Sequence, residues 1–173
     1  MNSGATFSPC KKYRYSLWRI WDTDKPLLGF CMLNPSTADE NENDPTIERC
    51  CCRAKHLGFG GIIVTNIFAY RSTDPKNLKT VEDPIGPDNN ARITERVWEC
   101  HTTICGWGKH GSYLGRGQEV LNMLIYWIGN NRVRALKINK DGSPSHPLYI
   151  GYDAPLIPYG EPYGSKILSP PNV

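Results

Sequence analysis

Leu27-Leu28-Gly29-Phe30-Cys31-Met32-Leu33-Asn34-Pro35-Ser36 is the stretch that decides the fold. A short, nearly continuous apolar run ends abruptly at an Asn-Pro pair. That is the pattern of a strand covered on both faces, as at the centre of a parallel sheet. Upstream, Asp22-Thr23-Asp24-Lys25-Pro26 reads as a turn, and Tyr15 to Trp21 alternates aromatic with polar residues as a strand does. Residues 1–12 are polar and are expected to be loose.

Downstream, a polar loop runs from Ser36 to Asn43, and Asp44-Pro45 gives a helix start, with Asp as N-cap and Pro in the first turn. Ile47, Cys50, Cys51, Ala54 and Leu57 then share one face at helical spacing. Arg49, Arg53 and His56 fall on another face, which reads as solvated, and Gly58-Phe59-Gly60-Gly61 stops the helix. A second buried strand spans Ile62 to Ile67, and a helix spans Pro87 to Cys100. A third strand runs from Thr102 to Gly106, an apolar helix from Glu119 to Ile128, and a fourth strand from Arg134 to Ile138. Strands alternating with helices predict an α/β fold. The expected architecture is a three-layer α/β/α domain around a central, mostly parallel, four-stranded sheet. With 173 residues the chain reads as a single domain, 1–173, whose Pro/Gly-rich end, 151–173, wraps the rest.

Lysine plus arginine is 20 and aspartate plus glutamate 17, a formal charge of +3 that permits nucleic-acid binding without arguing for it. The seven cysteines are odd in number and form no C-x2-C pair, so free thiols in a reducing cytoplasm are expected, with no metal and no cofactor. No signal peptide is recognisable, and no apolar run approaches the ~20 residues of a membrane span. The expected protein is a cytoplasmic monomer.

In an open α/β sheet, ligands bind beyond the carboxyl ends of the strands. Those ends carry Asn34-Pro35-Ser36, Asn66, Trp107-Gly108 and the loop bearing His146. No phosphate-binding glycine loop and no G-x-S-x-G elbow is present. Singly, each residue also has a plain structural reading: Asn34-Pro35 as a strand-ending turn, Asn66 as a local cap, His146 as a surface loop residue.

Taken in order, the motifs resemble the uracil-DNA glycosylase superfamily over roughly residues 27–150. Its members carry Gly-Gln-Asp-Pro-Tyr-His at the end of the first core strand, or Gly-Ile-Asn-Pro-Gly in the mismatch-specific branch. The matching stretch here is Met32-Leu33-Asn34-Pro35-Ser36. Ile62-Ile63-Val64-Thr65-Asn66 stands for Leu-Leu-Leu-Asn, and Ile104-Cys105-Gly106-Trp107-Gly108 for a strand running into Trp-Gly. His146-Pro147-Leu148-Tyr149 stands for His-Pro-Ser-Pro-Leu, without the second Ser-Pro. The run Leu33-Asn34-Pro35-Ser36-Thr37-Ala38-Asp39, followed by Asp44-Pro45-Thr46, also closely resembles a bacterial and phage family catalogued as a domain of unknown function.

The first resemblance implies a monofunctional DNA glycosylase that extrudes a nucleotide and hydrolyses its N-glycosidic bond to leave an abasic site. Asn34 and His146 would be catalytic. Asn34 would hold the water, with the Pro35 carbonyl sharing that role, and His146 would donate to the leaving base. Asn66 would read the Watson–Crick edge of uracil or cytosine, and Phe30 or Phe68 would stack on the base. Leu148 or Tyr149 would wedge into the vacated stack. Arg71, Lys109, His110, Arg116 and Lys140 would contact phosphates. Where the uracil enzymes crowd the pyrimidine C5 with a tyrosine, Ser36 is small. That implies tolerance of a 5-modified pyrimidine, at its boldest the glucosylated hydroxymethylcytosine of phage DNA, and hence antiviral defence. The alternatives are a non-catalytic nucleic-acid-binding module, a hydrolase of free modified nucleotides, and a thiol or metal enzyme.

Overall fold

The computed structural model describes residues 2–160. The deciding stretch forms the strand Leu27–Met32 (β3), flanked on both sides by parallel neighbours, Gly61–Asn66 (β4) and Cys100–Gly106 (β5). A short strand, Val133–Ala135 (β6), pairs parallel with β5. Four mutually parallel strands therefore lie at the centre, as the alternation predicts.

The sheet does not stop there. Arg14–Ile20 (β2) pairs antiparallel with β4, Asn2–Phe7 (β1) antiparallel with β2, and Ile157–Pro158 (β7) antiparallel with β6. The result is a seven-stranded mixed sheet of order β1-β2-β4-β3-β5-β6-β7. Three of its six pairings are parallel and three antiparallel, which corrects the expectation of a mostly parallel four-stranded sheet. The expectation of a loose segment 1–12 is likewise corrected over Asn2–Phe7. That strand is polar because it is an edge strand held by backbone pairing, which leaves no apolar period to read.

Side chains of the central strands alternate between two cores. Phe30, Met32 and Ile104 face one with Ile47, Cys50, Cys51 and Ala54 of the helix Pro45–His56 (α1). Cys31 and Cys105 face the other, with Ile93 and Val97 of the helix Asn89–Trp98 (α2) and the apolar face of the helix Arg116–Ile128 (α3). Helices thus cover both faces, giving three layers. Among the described residues, no helix is long and apolar enough to cross a membrane.

Helix α1 begins and ends as its residues dictate. The Asp44 carboxylate accepts from the Ile47 N–H at 2.9 Å, and Pro45 follows it. At the other end, Phe59 N–H donates to Ala54 O and Gly58 N–H to Lys55 O, with Gly58 at φ 81°. These two bonds form a Schellman stop, and the left-handed residue it needs is the glycine. The C-terminal stretch contributes β7 and buries Tyr159 edge-on against Trp107. The expected wrap over residues 161–173 lies outside the described residues.

Candidate functional site

A cavity of about 670 Å³ opens beyond the carboxyl ends of β3, β4 and β5. This is where parallel topology leaves room between diverging loops. Its size lies within the range of small-molecule sites, about 300–1,000 Å³. Its wall includes Asn34 and Ser36 after β3, Asn66 at the end of β4, Trp107 after β5, and His146. Four separate segments therefore deliver the expected strand-end and loop residues to one place.

Asn34 is held by its amide nitrogen. Nδ2 donates to the Ser72 carbonyl at 2.8 Å and to the Pro35 carbonyl at 3.2 Å. Both partners only accept, so the nitrogen must face them, and Oδ1 is left as the acceptor. The Pro35 carbonyl also accepts from the Ser72 N–H at 2.9 Å. Pro35 itself is buried and is not part of the cavity wall. Its expected share in holding water is corrected: that oxygen is occupied in pinning the Ser72 loop.

Asn66 is 2% exposed. Its carbonyl accepts from Asn89 Nδ2 at 3.0 Å, while its own carboxamide makes no hydrogen bond among the described residues. A buried amide facing a polar cavity in this way has a donor and an acceptor to offer a ligand.

His146 stands at the head of a short 3-10 turn, Pro147–Tyr149. Its Nδ1 accepts from the Leu148 N–H at 3.3 Å. Burial pushes the imidazole pKa down, only partly opposed by Asp44. The ring is therefore neutral at pH 7 with Nδ1 unprotonated, which leaves Nε2–H as a donor.

Several contacts fix the His146 loop. The Gly108 N–H donates to Pro144 O and the Ser145 N–H to Lys137 O, both at 2.8 Å. Ser145 Oγ donates to Asn139 Oδ1 at 2.6 Å. Pro147 lies flat against Gly106: a Cβ there would sit 2.7 Å from Pro147 Cδ. Behind the loop, Arg53 Nη2 donates to Ile150 O at 2.9 Å and Gly151 O at 2.7 Å, and Arg49 Nη2 to Ile150 O at 2.8 Å. Both guanidiniums also lie over the Tyr152 ring. The solvated face expected for Arg49 and Arg53 is thus corrected. They are the clasp that ties α1 to the chain leaving His146, and Arg53 is fully buried.

Other expectations divide. Lys109, His110, Leu148 and Tyr149 line the cavity, and Tyr149 is 81% exposed at its rim. Phe30 and Phe68 do not reach it. Both are fully buried, Phe30 in the α1-side core and Phe68 in the opposite core against Tyr113, so neither can stack on a ligand. Trp107, 4% exposed, is an aromatic residue that does line the wall.

Arg116 is corrected as a phosphate contact. It is fully buried, with Nε donating to Ile67 O at 2.8 Å, Nη2 to Asn90 Oδ1 at 2.5 Å, and an ion pair to Glu119 at 3.0 Å. It fastens α3 to the exit of β4. Arg71 is likewise off the cavity wall, its guanidinium over the Phe7 ring and one nitrogen donating to Lys11 O. Lys140 is exposed and stands outside the wall.

Arg14, Lys137 and Asn139 are lining residues that the sequence reading did not single out. An arginine inside the Tyr13-Arg14-Tyr15 strand pattern was the available signal for the first.

Five of the seven thiols, Cys31, Cys50, Cys51, Cys100 and Cys105, are buried packing groups. Cys31 and Cys100 are buried, and burial pushes each up to about 12. Cys51 rises to about 11 for the same reason. None of these three is a thiolate at pH 7.

Comparison with curated proteins and with solved structures returns no match. A family match covers residues 14–148, which spans all four segments that meet at the cavity. The chain belongs to the family described as "Protein of unknown function (DUF1643)".

Proposed function

We propose that this cavity binds a nucleotide extruded from DNA and hydrolyses its N-glycosidic bond, in a fold of the uracil-DNA glycosylase kind. The observation that carries the reading is the convergence of Asn34, Asn66 and His146 on one cavity, each with an unspent hydrogen-bonding capacity of the type its role needs. Asn34 offers an acceptor to orient water. It cannot take a proton, so the water attacks C1′ as the bond loosens, and its proton passes to solvent. The electron pair of the C1′–N bond goes to the base. His146, neutral with Nε2–H available, stabilises that developing negative charge by hydrogen bonding rather than by full proton transfer. Asn66 pairs with the Watson–Crick edge, and either amide orientation is open to it, so uracil-like and cytosine-like edges both fit.

Ser36 on the wall leaves room where a bulky residue would exclude a substituent, and a cavity of about 670 Å³ suits a ligand larger than a bare pyrimidine. This supports a 5-modified pyrimidine as substrate, with glucosylated hydroxymethylcytosine as the limiting case and phage DNA as its source. Excision would then serve antiviral defence. Lys109 and His110 at the wall supply phosphate contacts, and exposed Tyr149 supplies the wedge that fills the vacated stack.

The test is abasic-site formation on duplexes carrying uracil, a thymine mismatch or glucosylated hydroxymethylcytosine. Product is expected from at least the last of these, and none from Asn34→Ala or His146→Ala. DNA binding should weaken steeply as salt rises. Absence of product from all three duplexes removes the reading.

A further inference from the structure

The cavity wall contains a cation that base excision, as described, does not use. Arg14, the first residue of β2, is 2% exposed and lines the same cavity as Ser36, Asp44 and Thr46. Its Nη1 donates to the Ala38 carbonyl at 2.6 Å, which ties it to the loop that follows Ser36. Its Nε is buried and has no hydrogen-bond partner among the described residues. No carboxylate among them comes within ion-pairing distance of it. Asp44 is the carboxylate that acts most strongly on Arg14, but its Oδ1 is occupied in capping α1. Burial pulls the guanidinium pKa down to about 10, so Arg14 is still charged at pH 7.

A buried guanidinium with an unsatisfied N–H and no counter-ion is costly to the fold. Two hydroxyls of the same wall, those of Ser36 and Thr46, also make no hydrogen bond among the described residues. The wall therefore carries one fixed cation and two hydroxyls without a protein partner among the described residues. Guanidinium and hydroxyl donors together match the oxygens of a phosphate.

We propose that Arg14, with Ser36 and Thr46, forms a phosphate subsite within the cavity, so that the ligand is a phosphorylated nucleotide rather than a base or nucleoside alone. The subsite rests on reading the cavity as a nucleotide site. Its phosphate has two possible sources, the phosphodiester of a polynucleotide and the phosphomonoester of a free nucleotide.

The experiment is titration calorimetry on the full chain with four probes: deoxycytidine, deoxycytidine 5′-monophosphate, a short single strand, and the same strand with neutral methylphosphonate linkages on both sides of one target nucleotide. The monophosphate or the natural strand should bind about ten- to a hundredfold tighter than its uncharged counterpart, the range for a hydrogen bond to a charged group. Arg14→Gln should abolish that difference. A methylphosphonate penalty assigns the diester as source. Discrimination between nucleoside and monophosphate without that penalty assigns the monoester. Equal binding within both pairs by the wild-type protein overturns the proposal, and this outcome needs no variant to fold. Phosphate discrimination without any abasic product would remove excision and keep the subsite. Abasic product formed equally by Arg14→Gln and on methylphosphonate DNA would remove the subsite and keep excision.

Discussion

Gly106→Ala is the substitution through which the geometry of the His146 loop can be tested most sharply. The new methyl carbon would lie 2.7 Å from Pro147 Cδ, 3.1 Å from Pro147 Cγ and 3.4 Å from the Ser145 carbonyl oxygen. Carbon atoms in contact prefer about 3.5–4.0 Å, so the proline ring must retreat by roughly 1 Å. The ring is rigid and bonded directly to His146, and Gly106 sits in a central strand that cannot yield. The imidazole therefore moves with the loop. Overpacking of this kind costs about 1–3 kcal/mol of stability, while a displacement near 1 Å of a reacting group costs on the order of a hundredfold in rate. Two assays separate these effects. Thermal or denaturant unfolding reads the first. Abasic-product formation under folded conditions reads the second, together with the chemical shift of the His146 imidazole, which reports the ring whether or not the chain is a glycosylase. An unchanged imidazole signal with stability intact would refute the claim that Gly106 positions His146.

Three further perturbations follow from the same contacts. Arg53→Met removes two short bonds to the Ile150 and Gly151 carbonyls from a fully buried position, and should lower unfolding free energy by about 2–4 kcal/mol in a urea titration. A loss under 0.5 kcal/mol would show that Arg53 is not the clasp. Asn34→Asp would set a carboxylate against the Ser72 and Pro35 carbonyls, which only accept, so the acid should fold protonated, with its pKa raised. The variant's stability should then be retained at low pH and lost as pH rises through that raised value; stability rising with pH instead would mean that the amide does not face those carbonyls.

The depressed pKa of His146 has the opposite consequence. Its contribution to stability is present above the ordinary value of 6.5 and falls as pH drops from there through the folded value, because the unfolded chain then binds the proton more readily. The proposed activity should share the acid limb, since protonating Nδ1 breaks its bond to the Leu148 N–H. An NMR titration of the imidazole giving an inflection above 6.5 would contradict this.

The core of the fold was legible because its signals are local. The apolar run at Leu27 and the Asp44-Pro45 cap predict β3 and the start of α1, and Gly58 predicts its stop; all three form as read. The edges were not legible for a physical reason. Asn2–Phe7 joins the sheet through its backbone, and Ile157–Pro158 is a two-residue strand, so neither carries a period. At the site, Asn34, Asn66 and His146 could be named because they follow strand ends, where topology concentrates ligand contacts. The aromatic and cationic assignments failed where burial mattered. Phe30 and Phe68 alternate into the two cores, and Arg116 is tied down by Ile67 and Asn90. A sequence shows that an arginine is present but not which carbonyls it meets across about a hundred residues, as Arg53 does at Gly151.

The central claim is that the cavity beside Asn34 breaks a glycosidic bond. The most direct measurement is the yield of alkali-labile abasic sites from DNA containing glucosylated hydroxymethylcytosine, compared between the wild-type chain and Asn34→Ala at matched folding. Abasic sites from the wild type, reduced at least a hundredfold by the substitution, are expected if the Asn34 carbonyl oxygen orients the water. No abasic product from the wild type on this duplex, on uracil or on a thymine mismatch would contradict the account.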